Sequence, residues 1–258
     1  WLGLLARLQP ELRLDEVRNL LRQMMMRAAS NRDRQVAASL LQQRAQSSDN
    51  AAALHQLAAV IGEQQQDWAA LSTWLTSADY QQQCTAISTT LALLPALPAD
   101  QQWLDALIGQ AQRITKIYHQ LDEKHTTISR LHRLRLRLKR LLNRIEWLAP
   151  APEQWPPALR KLQRQQRRLG QLHDQAVLLH LLETLEHKPQ HNRLAPATLI
   201  TLGGLIYHER QLLAASKRKL IRKLRTSKLI HYRHSDWQRL FTSLRKLATA
   251  KTHKAVMP

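Results

Sequence analysis

The sequence predicts an all-α protein, and three observations carry that prediction. Leu, Gln, Arg and Ala, all good helix formers, dominate the 258 residues, whereas glycine (six), phenylalanine (one) and β-branched residues are scarce. Prolines fall between long helix-compatible segments, where they end or restart helices. Within those segments apolar residues recur at spacings of three and four, the period of a helix buried along one face.

Taken in order, the segments read as helices over 11–29, 31–46, 50–65, 67–77 and 79–93, lying between Pro10 and the Pro95/Pro98 pair. Residues 100–148 form either one long helix or two with a break near Asp122–Thr127. Pro156-Pro157 behind Trp155 is a favourable entry to a helix over 156–187. Helices over 196–226 and 235–250 complete the chain.

Charge separates the two halves. Residues 1–125 carry eleven Lys+Arg against twelve Asp+Glu, a net of −1; residues 126–258 carry twenty-eight against seven, a net of +21. Two runs contain no acid at all, Thr126–Ile145 and Arg210–His234, and a third cluster holds Arg160, Lys161, Arg164, Arg167 and Arg168. Like charges four apart on a helix repel. A chain that accumulates them without interleaved acids points to a polyanionic partner.

Other classes have little support. A single cysteine, Cys84, excludes a disulfide framework and a Cys-rich zinc site, and it fits a reducing compartment. No apolar run reaches eighteen residues, so no bilayer span is expected, and no cationic-then-apolar leader opens the sequence. The twelve histidines form no H-E-x-x-H motif and no cluster with metal-ligand spacing, no acidic pair suggests general acid–base work, and no Walker-type loop is present. No catalytic residue, metal or cofactor is therefore assigned, and the protein is expected not to be an enzyme. Non-specific nucleic-acid binding through Arg-rich helices remains the alternative, weakened by the shortage of aromatic stacking platforms.

The segment 126–148 is the most informative. Ile128, Leu131, Leu134, Leu138, Leu141, Ile145 and Leu148 form one apolar stripe. Arg130, Arg133, Arg137, Arg140 and Arg144 lie on one flank; His132, Arg135, Lys139 and Glu146 lie on the other. The first row reads as solvated surface. The second, a histidine and two cations beside a core seam, is placed to line a groove between helices.

This helix, His132-Arg-Leu-Arg135-Leu-Arg-Leu-Lys139-Arg140, resembles the H-x-x-R-x-x-x-K-R helix of the CHAD (conserved histidine α-helical) domain family. Leu169-Gly170-Gln-Leu-His173-Asp174-Gln-Ala-Val177 resembles that family's L-G-x-L-x-D-x-x-V segment, and Gly204 through Arg210 its later Gly-to-Arg helix. The resemblance is good over 113–226 and thin elsewhere. It implies two pseudo-symmetric antiparallel helical bundles with long helices around a basic cavity that binds inorganic polyphosphate without catalysis.

The bundles are expected at 1–98, degenerate or truncated, and at 99–258, which carries the motif helix. Arg32-Asp33-Arg34-Gln35-Val36 faintly repeats the basic-Asp-x-x-Val pattern of His173–Val177. Trp1–Arg7 would then be the tail of a first helix whose motif precedes the chain. The expected polyphosphate contacts are His132, Arg135, Lys139, Arg140, His173, Arg210, Lys217, Arg22 and Arg32. A cytoplasmic location, in association with polyphosphate granules, accompanies that reading. The E-x-E-x-K motif of the triphosphatase domain that precedes some relatives is absent.

Overall fold

A computed structural model describes residues 14–62, 66–92, 101–149, 153, 155–187 and 194–255. The expected tail helix at Trp1–Arg7 and the expected helix start at residue 11 lie outside them. Among the described residues every regular element is helical, with no strand: α1 (Asp15–Ala45), α2 (Ala51–Gly62), α3 (Gln66–Leu75), α4 (Ala78–Ala92), α5 (Gln101–His119), α6 (Ile128–Leu148), α7 (Pro157–Glu186), α8 (Pro196–Arg225) and α9 (His234–Ala255), with a 3₁₀ turn at Lys228–His231. The all-α class follows directly from the composition.

Two boundaries differ from expectation, the smaller difference being the end of α9 at Ala255 instead of 250. The helices expected at 11–29 and 31–46 form a single helix, α1, of 31 residues. No proline or glycine interrupts residues 15–45, and Ser30-Asn31 is only a mild breaker. The 100–148 segment resolves as two helices. Asp122 accepts backbone N–H groups from Lys124 (2.7 Å) and His125 (3.0 Å), and Thr126 Oγ1 accepts from the Asp122 N–H at 2.9 Å. These bonds close a turn, and Thr127 then caps α6 by accepting the Arg130 N–H at 3.2 Å. The two backbone bonds, His125 first, hold the Asp122 carboxyl below the usual carboxylate range.

The helices divide into two compact units. One holds α5, α6, α7 through His173, α8 from Ala214, and α9. The other holds α1–α4, α7 from Asp174, and α8 through Leu213. Residues 174–213 therefore pack with the N-terminal helices rather than with the rest of the basic half. The reason is length: α7 and α8 have 30 residues each, enough to enter both cores.

The α1–α4 unit is built on Ala37, Leu41, Leu57 and Ile61 against Leu178, Leu182, Leu202 and Ile206. Glu209 enters this core with only 1% of its surface exposed and is held by the Arg44 guanidinium, which forms two hydrogen bonds to its carboxylate. In the α5/α6/α9 unit Leu107, Ile114, Leu134, Leu138 and Leu141 are buried, as are Trp237 and Phe241, whose rings stack. A buried polar chain crosses it: Tyr118 donates to Gln165 Oε1 at 2.8 Å, and Gln165 Nε2 reaches Ser227 Oγ at 3.1 Å. Burial pushes the Tyr118 phenol far above its ordinary pKa, so it remains a donor. Trp155 closes the α6–α7 connection by donating to the Ala149 carbonyl at 2.8 Å, and Pro157 opens α7 as expected.

Candidate functional site

The apolar stripe of α6 is the frame on which the site is hung. Leu131, Leu134, Leu138, Leu141 and Ile145 are all buried, which fixes the rotation of the helix. At about 100° per residue, Arg135 lies some 60° and Lys139 some 20° from His132 on the core side, whereas Arg140 lies about 80° away on the opposite side. The register thus puts His132, Arg135 and Lys139 on one flank. Arg133, Arg137 and Arg140 are exposed on the other. On that outer flank Arg130 reaches Gln120 at 3.1 Å and Arg144 bonds Gln110. The two rows read from the sequence are both present.

The inner row faces α7. His132 and His173 meet with their Nδ1 atoms 3.2 Å apart and ring centroids 4.3 Å apart. In that contact one nitrogen donates and the other accepts, and the tautomers of the two rings decide which. One turn further, a Cβ placed on Gly170 would lie 3.6 Å from Arg135 Nε. The two pairings, 132 with 173 and 135 with 170, define an antiparallel register that carries Lys139 to the level of Gln166.

Arg135 is the unusual member. It is only 8% exposed, and its Nε is fully buried with no hydrogen-bond partner. Among the described residues no carboxylate, carbonyl or hydroxyl accepts from it. A buried guanidinium is normally paired, because stripping water from it costs several kcal/mol. On α7 its Nε faces Gly170, a residue without a side chain. What this arrangement offers chemically is a fixed, desolvated donor with a histidine pair one turn away and an exposed lysine one turn beyond.

The remaining expected residues are distributed differently. Lys217 is half-buried in the same unit, with no hydrogen bond or ion pair to the α6 row among the described residues. Arg22, Arg32 and Arg210 belong to the α1–α4 unit. Arg22 and Arg32 are exposed, and Arg210 is held by Glu183 at 2.8 Å. Next to Arg32, the buried Asn31 leaves both amide atoms unpaired at a polar cavity of about 340 Å³ lined also by Arg34, Gln35 and Gln42. The acid-free runs are also less isolated than they read. Glu123 bonds Arg222 at 2.7 Å; that bond, with the nearby charges of Arg218 and Arg225, holds its carboxyl below the ordinary value.

Two features have no plain signal in the sequence. Nothing in a count of charges marks Arg135 as the buried cation, although its angle nearest the apolar stripe is a usable sign. Gly170 belongs to the Leu169–Val177 motif segment, and its position opposite Arg135 emerges from the packing.

Among the described residues no group of three or more His, Cys, Asp or Glu side chains could hold a metal, and no helix is long and apolar enough to cross a membrane. No curated protein and no solved structure matches the chain. A family-level match to the CHAD domain spans residues 1–183, taking in the motif helix, the Leu169–Val177 segment and the N-terminal half, and ending before Gly204. On that match, and on the all-helical frame that carries its motif residues, the chain belongs to the CHAD domain family.

Proposed function

We propose that the protein binds inorganic polyphosphate, without altering it chemically, along the α6–α7 flank of the basic unit. The observation that carries this reading is the buried, unpaired Arg135. Its fork of N–H donors matches phosphate oxygens, and an incoming oxyanion would supply the acceptor that the fold withholds. Internal phosphates of the polymer each bring a charge and acceptor oxygens and no base edge to discriminate. A row at i, i+3 and i+7 lets an extended strand run along the helix axis, from His132 and His173 past Arg135 to Lys139. Arg140 and Lys217 are assigned as outer contacts in the same unit. Arg22, Arg32 and Arg210 are assigned as further contacts on the other, Arg210 exchanging Glu183 for phosphate.

The test is a competition at two ionic strengths between polyphosphate of defined length and duplex DNA of equal phosphate count. Polyphosphate is expected to bind more tightly at both, with affinity falling steeply as salt rises because condensed counterions are released. The polymer recovered afterwards is expected to have its original length. Equal competition by DNA would replace this reading with general polyanion binding, and a shortened polymer would refute the absence of catalysis.

A further inference from the structure

Resting on the polyphosphate reading, we infer that the exposed face of α8 around Arg222 is a second phosphate-binding site, held in the free protein by the Glu123 carboxylate, which the polymer displaces. At about 100° per residue, Ala215, Arg218, Lys219, Arg222 and Lys223 fall within about 140° of the helix circumference, opposite the buried Leu220, Ile221 and Leu224. All five are exposed, and together they line an open trough of about 520 Å³. Lys217 lies on the other side of the helix, so this row is separate from that contact.

Two observations set this face apart from ordinary solvated surface. Cations four apart, Arg218 with Arg222 and Lys219 with Lys223, repel one another. The helix C-terminus favours Arg222 and Lys223 in its last turn, but that effect does not extend back to Arg218 and Lys219. Among the described residues no acid pairs with Arg218, Lys219 or Lys223. The second observation is that an oxyanion already sits here. Glu123 meets Arg222 side-on, Oε1 accepting from Nε at 2.7 Å and Oε2 from a terminal N–H at 3.3 Å, the two-bond grip that arginine gives to phosphate. The turn closed by Asp122 and Thr126 fixes Glu123 in that place. One carboxylate against four cations leaves the face positive, whereas a phosphate strand brings a charge for each. An exposed pair such as Glu123 with Arg222 contributes little stability, so the exchange costs the fold little.

The experiment titrates inorganic polyphosphate of defined length against Glu123→Gln, Glu153→Gln, Arg222→Gln and the Glu123→Gln/Arg222→Gln double variant. Glu153 is an exposed acid of the same unit, so its substitution makes the same change in net charge. In Glu123→Gln the Kd is expected to fall about threefold, the scale of a freed surface charge pair, and in Glu153→Gln to change much less. Arg222→Gln is expected to raise the Kd, and Glu123→Gln to bring no gain in its presence, because the two residues are coupled. No gain in Glu123→Gln, an equal gain in Glu153→Gln, or a gain that persists without Arg222 overturns the inference and leaves the polyphosphate reading intact. Failure of the unsubstituted protein to bind overturns that reading and the inference with it. A second pair leaves Glu123 untouched: Arg218→Gln with Lys219→Gln is expected to weaken binding more than Arg133→Gln with Arg137→Gln on the outer flank of α6, and equal losses contradict the site.

Discussion

Arg135→Met is expected to weaken polyphosphate binding by roughly tenfold to a hundredfold while raising the melting temperature of the free protein. The two effects have one cause. Methionine matches the reach of the arginine stem and fills the same space against α7, but it brings no buried donor. An unsatisfied buried polar group costs about 1–3 kcal/mol, so removing it stabilises the unliganded fold. For a chain of this size 1 kcal/mol corresponds to a rise of about 2–4 °C. The ligand loses a charge-assisted hydrogen bond worth about 1.5–3 kcal/mol, which sets the expected loss of affinity. Thermal denaturation and a polyphosphate titration read the two effects separately. A lower melting temperature with unchanged affinity would make Arg135 a packing residue and remove the main support for the site.

Arg44→Ala is expected to cost about 3 kcal/mol of stability, because it strands a buried carboxylate. Glu209 has essentially no exposed surface, and Arg44 is its partner for both carboxylate oxygens. Urea unfolding at pH 7 measures the loss. Adding Glu209→Leu should recover most of the loss, since an apolar pair of similar volume removes the buried charge. An unchanged stability in Arg44→Ala, or a deficit that Glu209→Leu deepens, would contradict the pairing.

Much of the frame was legible because its signals are local. Proline positions set the entries to α7 and α8, and the leucine spacing of α6 fixed both its buried seam and its two basic rows. The α5–α6 break was legible as an alternative; Asp122 and Thr126 decide it by capping backbone groups across the turn. The continuity of α1 was not, since Ser30-Asn31 looks like a breaker and only the absence of proline and glycine favours a continuous helix. The site was half legible. His132, Arg135 and Lys139 fall on one flank by angle alone. That His173 meets His132, and that Gly170 faces Arg135, depends on the register between two helices, which no spacing within one segment encodes. The same applies to the acids: Glu123 serves Arg222 and Glu183 serves Arg210 from distant segments, so a run without acids in sequence is partly neutralised in space.

The central claim is that an organised row, and not net charge, holds the polymer. Two double charge reversals test it with identical changes in net charge: Arg135→Glu with Lys139→Glu on the inner flank, and Arg133→Glu with Arg137→Glu on the outer flank. Measured by polyphosphate titration at one ionic strength, the inner pair is expected to lose binding and the outer pair to lose much less. Equal losses from the two would contradict the account.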